Sequence, residues 1–415
     1  MRLLHSQTLK FKEFFNSEST PPYAILSHTW GSDEVTFKEM HKYLKAAGQP
    51  EGKEHESLAS PGIEARDGFK KILFCAEQAV KDGLDYFWVD TCCIDKRSSA
   101  ELSEAINSMF KWYRDSNVCY AYLSDVQGRF YSNEERSDRG HYTKHNFEAS
   151  LWFSRGWTLQ KLIAPQKLIF YTSDWSEIGA KTALTISRVI SHRTQLPVHV
   201  IKTGNFSTSS IARRMSWAAS RCTTRVEDRA YSLLGLFGIH MPLLYGEGEH
   251  AFVRLQQEII KQSDHLSIFA WKDPRADEYL HRGLLSRSPS EFAHCANLGW
   301  HRAGTNRNLQ VSDKEIKLDV VLQTLKGSSE DYIARLPGVG DQTGFAWLGI
   351  YLRRTFQRDF TRVNVKEIVP YDLYHNKSLL VESSHNDESG NPMGSIHTIS
   401  VRNTPLLSKF SFSRV

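Results

Sequence analysis

The 415-residue sequence has no long hydrophobic run: no stretch approaches the roughly 18 apolar residues needed to cross a membrane. It contains only six cysteines, and the adjacent pair Cys92 and Cys93 lacks the spacing of metal or redox pairs. The first 15 residues include Lys10 and Lys12 and no apolar segment typical of signal peptides. These absences argue against a membrane span, a disulfide framework and a secretory leader. We therefore expect reduced thiols and a cytoplasmic location.

Blocks of like charge are also missing. The formal net charge of +5 is spread over the chain without a run of five or six like charges, which disfavours nucleic acid and anionic membrane as partners. The sequence has no glycine-rich phosphate loop, HExxH motif or paired-cysteine motif, so no metal site is predicted. The hydrophobic fraction of 40% and the aromatic fraction of 12% are typical of a packed globular protein. Because one core rarely grows beyond roughly 250–300 residues, two domains are expected.

The first half of the chain alternates short apolar runs with segments of helical period, which predicts an α/β fold with a mostly parallel, flavodoxin-like sheet. Helices are predicted at 35–47, at 63–80 and after Ser98, where Ser98 and Glu101 form a capping-box pattern. The polar stretches 48–62 and 128–146 are predicted loops. The four predicted strands of this sheet are 23–27, 85–90, 118–124 and 167–171.

A change from helical periodicity to alternating apolar and polar residues near residue 265 predicts a domain boundary. Before it, a helical extension is expected over about 201–265, after an α/β core at about 20–200. After it, residues 266–415 contain alternating segments that predict a β-rich accessory domain. The helices predicted in the extension are 209–220, 227–237 and 249–262, and the strands predicted in the β-rich part are 309–311, 316–320, 333–336 and 345–352.

Ligands of open parallel sheets bind beyond the carboxyl ends of the strands, so the residues that follow each strand are the candidates. After the first strand, Trp30 offers a flat face for a base or a nicotinamide ring, and Gly31 permits a tight turn. The same residues also fit a structural role, with Trp30 filling a loop and His28 buried in the core. The sequence alone leaves both interpretations open.

The second strand ends at Asp90, and the next helix begins at Ser98 after Asp95, Lys96 and Arg97. A helix N-terminus beside two cations can bind an anion such as a pyrophosphate. The two cations fit a solvated surface equally well.

A third polar stretch surrounds Arg155, Trp157 and Lys161. Arg155 and Lys161 would project polar groups, whereas Trp157 is predicted to pack. Because these residues and the earlier ones all follow strand ends, we predict one shared nucleotide site. The five residues predicted to converge on one cleft are Trp30, Asp90, Asp95, Arg155 and Lys161.

Four long blocks of the chain resemble the HET (heterokaryon-incompatibility) family of filamentous fungi. They are YAILSHTWG at 23–31, the segment 85–126 that begins DYFWVDTCCIDKRSS, SLWFSRGWTLQKLIAP at 150–165, and the segment 216–248 that begins SWAASRCTTRVEDRAYSLLG. The resemblance implies an effector of programmed cell death in non-self recognition. It also implies a protein partner from an incompatibility or NLR-type system, and homo-oligomers as an option.

HET domains are in turn distantly similar to TIR domains of innate immunity, several of which are hydrolases that cleave NAD at the bond to nicotinamide. The resemblance implies NAD as a substrate, with no covalently bound cofactor. HET sequences normally carry glutamate where this chain has Lys161. A carboxylate there would stabilise an oxocarbenium-like transition state, whereas an ammonium repels its positive charge, so Lys161 should abolish or strongly impair catalysis. The lysine marks either a natural pseudo-enzyme or regulatory member, or a substitution that let a toxic protein be produced.

Two other functions compete with a nucleotide-processing effector. One is a non-catalytic module that oligomerises or recruits a partner, and the less favoured one is a metal-dependent nuclease that uses Asp90 and Asp95. The predicted catalytic positions are Asp90, Asp95 and Lys161, and the predicted nucleotide-binding residues are Ser27, His28, Trp30, Gly31, Lys96, Arg97, Ser98, Arg155 and Trp157.

Overall fold

The structure is a computed structural model that describes most of the chain in ten segments. The predicted loops at 48–62 and 128–146 lie almost entirely outside the described residues. The chain divides into two compact units, which consist of 1–205, 221–223 and 232–243 for the first, and of 206–220, 224–231 and 244–415 for the second. The predicted domain boundary near residue 265 stays a prediction. The described segments are 1–16, 18–47, 62–128, 146–276, 282–300, 309–312, 314–340, 347–355, 359–371 and 396–402.

The first unit contains a seven-stranded sheet with the order β2-β1-β4-β3-β5-β6-β7. The four central strands β4, β3, β5 and β6 are parallel, and β1, β2 and β7 are antiparallel additions at the edges. If the parallel strands are numbered 1 to 4 along the chain, their order across the sheet is 2-1-3-4, as in flavodoxin-like sheets. The prediction of an α/β fold with a mostly parallel sheet is confirmed. The strands are β1 (Arg2–His5), β2 (Phe11–Glu13), β3 (Tyr23–His28), β4 (Tyr86–Trp88), β5 (Val118–Tyr122), β6 (Leu168–Tyr171) and β7 (Glu177–Ala180).

Burial explains why the four parallel strands were predictable and the three antiparallel strands were not. Every residue of β3 and β5 is buried, so both read as short continuous apolar runs. In contrast, β2 is largely exposed and β7 contains Gly179, so neither has an apolar pattern. The pairing of Leu3 with Lys12 joins β1 to β2 across a short turn.

Helices pack against this sheet. Ser98 caps the third helix by accepting a hydrogen bond from the Glu101 N–H at 3.2 Å, as the capping-box pattern predicts. The second helix begins four residues later than predicted, since residues 63–65 form a short 3₁₀ turn. The helices of this unit are α1 (Phe37–Ala47), α2 (Asp67–Lys81), α3 (Ser99–Asp115), α4 (Thr158–Ile163), α5 (Leu184–Thr194), α6 (Val198–Thr203) and α9 (Leu234–Phe237).

The described part of the second unit combines three α-helices with a second sheet of mostly antiparallel strands. Its sheet order is β14-β12-β13-β15-β10-β11-β8, and β9 pairs with β10. An additional pairing of β11 with β12 closes five strands into a ring. The β-rich character predicted after residue 265 is confirmed. The elements are α7 (Ile211–Ser216), α8 (Asp228–Tyr231), α10 (His250–Gln262), β8 (Gly299–Trp300), β9 (Leu309–Val311), β10 (Glu315–Thr324), β11 (Asp331–Gly340), β12 (Trp347–Arg354), β13 (Phe360–Arg362), β14 (Val369–Tyr371) and β15 (Ile396–Arg402).

Within the described part of the chain, helices that combine the length and the apolarity needed to span a bilayer are absent.

Candidate functional site

The candidate site lies at the carboxyl edge of the parallel sheet in the first unit. His28 is the last residue of β3, and Asp90 follows the neighbouring strand β4 by two residues. Because parallel neighbours end at the same edge, these two side chains meet across the sheet. Helix α4 places Lys161 against the same point.

Asp90 is the centre of a buried polar cluster. Its Oδ2 accepts a hydrogen bond from Lys161 Nζ at 2.7 Å, and its Oδ1 accepts from the Trp30 indole N–H at 3.2 Å. His28 Nε2 lies 3.1 Å from the same Oδ1. The Lys96 ammonium lies 3.2 Å from the centroid of the Trp30 ring, which is a cation–π contact. We call His28, Trp30, Asp90, Lys96 and Lys161 the Asp90 centre.

The charges of Asp90 and Lys161 are held away from water. Asp90 is 5% exposed and Lys161 is 2% exposed. Burial by itself raises the pKa of Asp90, but the Lys161 ammonium and the His28 hydrogen bond outweigh it and hold that pKa well below its usual range. Asp90 is therefore an ionised carboxylate neutralised by Lys161.

The position of Lys161 is fixed by the packing of α4. All six residues of this short helix are buried, so residue 161 does not face solvent. The ring of Tyr113 lies 5.4 Å below the Lys161 ammonium. At the helix C-terminus, the buried Lys181 ammonium donates to the carbonyls of Leu162 and Ile163 at 3.0 and 3.4 Å.

The two cations proposed to bind a phosphate both have partners within the chain. Arg97 forms an exposed ion pair with Asp95 at 2.7 Å, and Lys96 covers Trp30. The Glu101 carboxylate accepts from the Asp95 N–H at 2.8 Å and pairs with Arg2. Ligand binding at the start of α3 stays a prediction, and it would have to compete with these contacts.

The remaining predicted residues have contacts of a structural kind. Ser27 is fully buried and accepts a hydrogen bond from the Trp152 indole at 3.1 Å. The Arg155 carbonyl accepts from Arg221 at 2.8 Å, and Trp157 precedes α4. The turn after β3 does not require glycine at residue 31, because the backbone of Gly31 lies outside the left-handed region and a Cβ would meet only the Glu34 carboxylate, 3.8 Å away.

The comparisons with known proteins agree with the sequence resemblance. The sequence profile of the family described as "Heterokaryon incompatibility protein (HET)" matches residues 23–139. The chain is 44% identical over 265 residues to "Vegetative incompatibility protein HET-E-1" of Podospora anserina, a match that covers 63% of this chain and 18% of that protein. The chain carries a HET domain. No solved structure matches it significantly, and the chain spans less than a fifth of the length of this relative.

The matched part of the HET domain contains four residues of the Asp90 centre, namely His28, Trp30, Asp90 and Lys96. Lys161 lies outside the matched range and reaches the centre from α4. Among the described residues of the chain, no group of three or more His, Cys, Asp or Glu side chains is placed to hold a metal ion.

Two residues of the HET domain that contact this centre were missed by the sequence reasoning. Lys71 of α2 and Glu34 of the loop after β3 both reach His28. A signal existed for Lys71, since it lies in line with the buried residues Cys75 and Ala79 at a spacing of four. Glu34 lies in a polar loop where a charged residue is ordinary, so its sequence gave no signal.

Proposed function

We propose that this chain is an effector of heterokaryon incompatibility, and that the Asp90 centre of its HET domain is a nucleotide site that Lys161 makes inactive in NAD cleavage. The HET profile and the identity to a vegetative incompatibility protein support the biological role. The observation that supports an inactive site is the 2.7 Å contact between Lys161 and Asp90 in a buried position.

The chemistry follows from the sign of the charge at residue 161. When the bond between ribose and nicotinamide breaks, positive charge develops on the ribose, and a nearby carboxylate lowers that barrier. The Asp90 carboxylate is already neutralised by Lys161, and residue 161 itself contributes an ammonium. Loss of one preorganised electrostatic partner typically lowers a rate by ~10²–10³, and a like charge in its place should lower it further.

Trp30 supports a nucleotide as the ligand class. Trp30 is 50% exposed although its indole N–H donates to Asp90, so it lies partly open to solvent beside an ionised carboxylate. A nicotinamide or adenine ring would stack on the Trp30 ring in place of the Lys96 ammonium.

The test is expression of four chains in a yeast or fungal host: the wild type, Lys161→Glu, the double variant Lys161→Glu/Asp90→Asn, and Lys181→Gln. Lys181 is a matched control, because it is a second buried lysine that contacts α4 but not Asp90. Cellular NAD, viability and the amount of folded protein are followed together. We expect NAD to stay constant with the wild type, and NAD loss with toxicity to appear in Lys161→Glu alone.

Two outcomes would contradict this proposal. NAD loss caused by the wild-type chain would mean that Lys161 does not silence the site. A folded Lys161→Glu chain that leaves NAD and viability unchanged would remove the NAD-cleaving interpretation.

The same ion pair favours a second candidate function, which is a non-catalytic module that kills by assembly or by recruitment of a partner. Toxicity of the wild-type chain with NAD intact would support it. Size-exclusion chromatography with light scattering would then decide between self-assembly and recruitment.

A further inference from the structure

Two further charged side chains, Lys71 and Glu34, lie on the side of His28 opposite Asp90. Lys71 Nζ lies 3.0 Å from His28 Nδ1, opposite the Nε2 that contacts Asp90. Lys71 also forms an ion pair with Glu34, whose carboxylate accepts the Gly31 N–H at 2.8 Å. The result is a line of contacts that runs from Glu34 through Lys71, His28 and Asp90 to Lys161.

The donors and acceptors in this line determine the state of the imidazole. An ammonium can only donate, so the Nδ1 that faces Lys71 must carry a lone pair. An ionised carboxylate can only accept, so the Nε2 that faces Asp90 must carry the proton.

We propose that Lys71 and Glu34 are positioning residues. They hold His28 as a neutral imidazole whose Nε2 carries the proton and donates a hydrogen bond to Asp90. The proposal depends on the proposed function only for the role of the Asp90 centre, since the state of the imidazole is a separate property. In this arrangement His28 orients the Asp90 carboxylate and is not a base at neutral pH.

Packing keeps Lys71 and Glu34 in place. The N-terminus of α2 lies against the backbone of the loop after β3, where a Cβ added at Gly68 would come within 2.3 Å of the Asp33 carbonyl oxygen. Only glycine allows this approach without a shift of the backbone. Arg66, just before α2, pairs with Asp33 at 2.8 Å and ties the same loop to the helix.

The charges around His28 act in opposing directions. Lys71 and Glu34 face Nδ1 of the His28 ring, and Asp90 faces its Nε2. Lys161 and Lys96 lie close to Asp90. Burial and the Lys71 ammonium lower the pKa of His28 and outweigh the opposite effects of Asp90 and Glu34. Removal of the Lys71 charge should therefore shift the titration of His28 to higher pH.

The test is nuclear magnetic resonance of the full chain labelled with ¹⁵N in the histidine rings, with the His28 signal assigned by its loss in His28→Gln. In the wild type we expect a pyrrole-type Nε2 and a pyridine-type Nδ1 at pH 7, with a titration midpoint below that of an ordinary histidine. In Lys71→Met we expect an upward shift of the titration midpoint, because Nδ1 no longer faces an ammonium, while Asp90 keeps the proton on Nε2. Lys71→Gln retains a donor without the charge, so it should keep the tautomer while its midpoint rises.

A proton on Nδ1, or an imidazolium at pH 7, in the wild type would overturn the proposal, and so would an unchanged titration midpoint in Lys71→Met. If Lys71→Met does not fold, the wild type and Lys71→Gln decide alone, and a Lys71→Gln midpoint equal to that of the wild type would count against the proposal. None of these measurements depends on NAD, so a failed proposal on His28 is distinguishable from a failed proposal on function.

Discussion

Reversal of the charge at residue 161 should change both the stability of the first unit and the sign of its pH dependence. In the wild type, Asp90 and Lys161 form a buried ion pair in which Lys161 Nζ lies 2.7 Å from Asp90 Oδ2. Removal of one partner of a buried ion pair typically costs about 3–5 kcal/mol, because the other charge stays buried and unpaired. Lys161→Glu should lower the free energy of unfolding by at least that amount at pH 7.

Two carboxylates this close will not both stay ionised. Their repulsion raises the pKa of one member of the pair, and that carboxylate binds a proton. In the wild type the pKa of Asp90 is depressed, so its contribution is present above the unfolded pKa and is lost as the pH falls through the folded one. In Lys161→Glu the pair binds protons more tightly when folded, so the contribution is lost as the pH rises. We therefore expect the variant to be more stable at pH 5 than at pH 7, relative to the wild type.

Urea denaturation at both pH values, followed by tryptophan fluorescence, measures these changes. Lys161→Met separates the loss of the ammonium from the added carboxylate, and Lys161→Met/Asp90→Asn removes both charges. The double variant should recover most of the stability lost in Lys161→Met, because no unpaired charge remains. Equal stability of Lys161→Glu and the wild type at pH 7 would refute the buried ion pair.

Three further predictions concern the surroundings of this centre. Replacement of Lys96 and Arg97 by alanine should weaken NAD binding by about 1–3 kcal/mol if both contact phosphate, and unchanged affinity in calorimetry would assign both to the surface. Burial lowers the pKa of Lys181 to about 8 from an ordinary 10.5, so the folded chain releases this proton at a lower pH than the unfolded chain. As the pH rises between those two values, the wild type should therefore gain stability relative to Lys181→Met. A stability difference between the two chains that stays constant with pH in urea denaturation would contradict this. Gly68→Ala should lower the melting temperature because its Cβ would meet the Asp33 carbonyl, whereas Gly31→Ala should leave it unchanged, and calorimetric scans that rank them in the other order would show that the loop after β3 is packed differently.

Much of the first unit was predictable because its parallel strands are buried on both faces. Continuous apolar runs marked β3, β4, β5 and β6 to within a few residues, and the end of each strand marked the edge of the sheet where ligands bind. The antiparallel strands β1, β2 and β7 carry no comparable pattern, since each is short and only partly buried.

The candidate site was predictable in its location but not in its contacts. Strand order brought Trp30 and Asp90 together, since each follows a parallel strand that ends at the same edge, whereas Lys161 reaches Asp90 from helix α4. Asp95 was placed with them for the same reason, yet it pairs with Arg97 two residues away. A short-range ion pair forms wherever the local backbone allows it, and strand order does not affect it.

The sequence by itself determined the HET resemblance, the α/β order of the first unit and the unusual lysine at residue 161. The tertiary structure alone decided what that lysine does, because only packing takes its ammonium out of water and places it 2.7 Å from Asp90. The line from Lys161 to Glu34 joins residues 161, 90, 28, 71 and 34, which no local pattern connects. Charges so far apart in the chain affect one another only after the sheet and its helices have brought them together in a medium of low dielectric constant, where each must be paired.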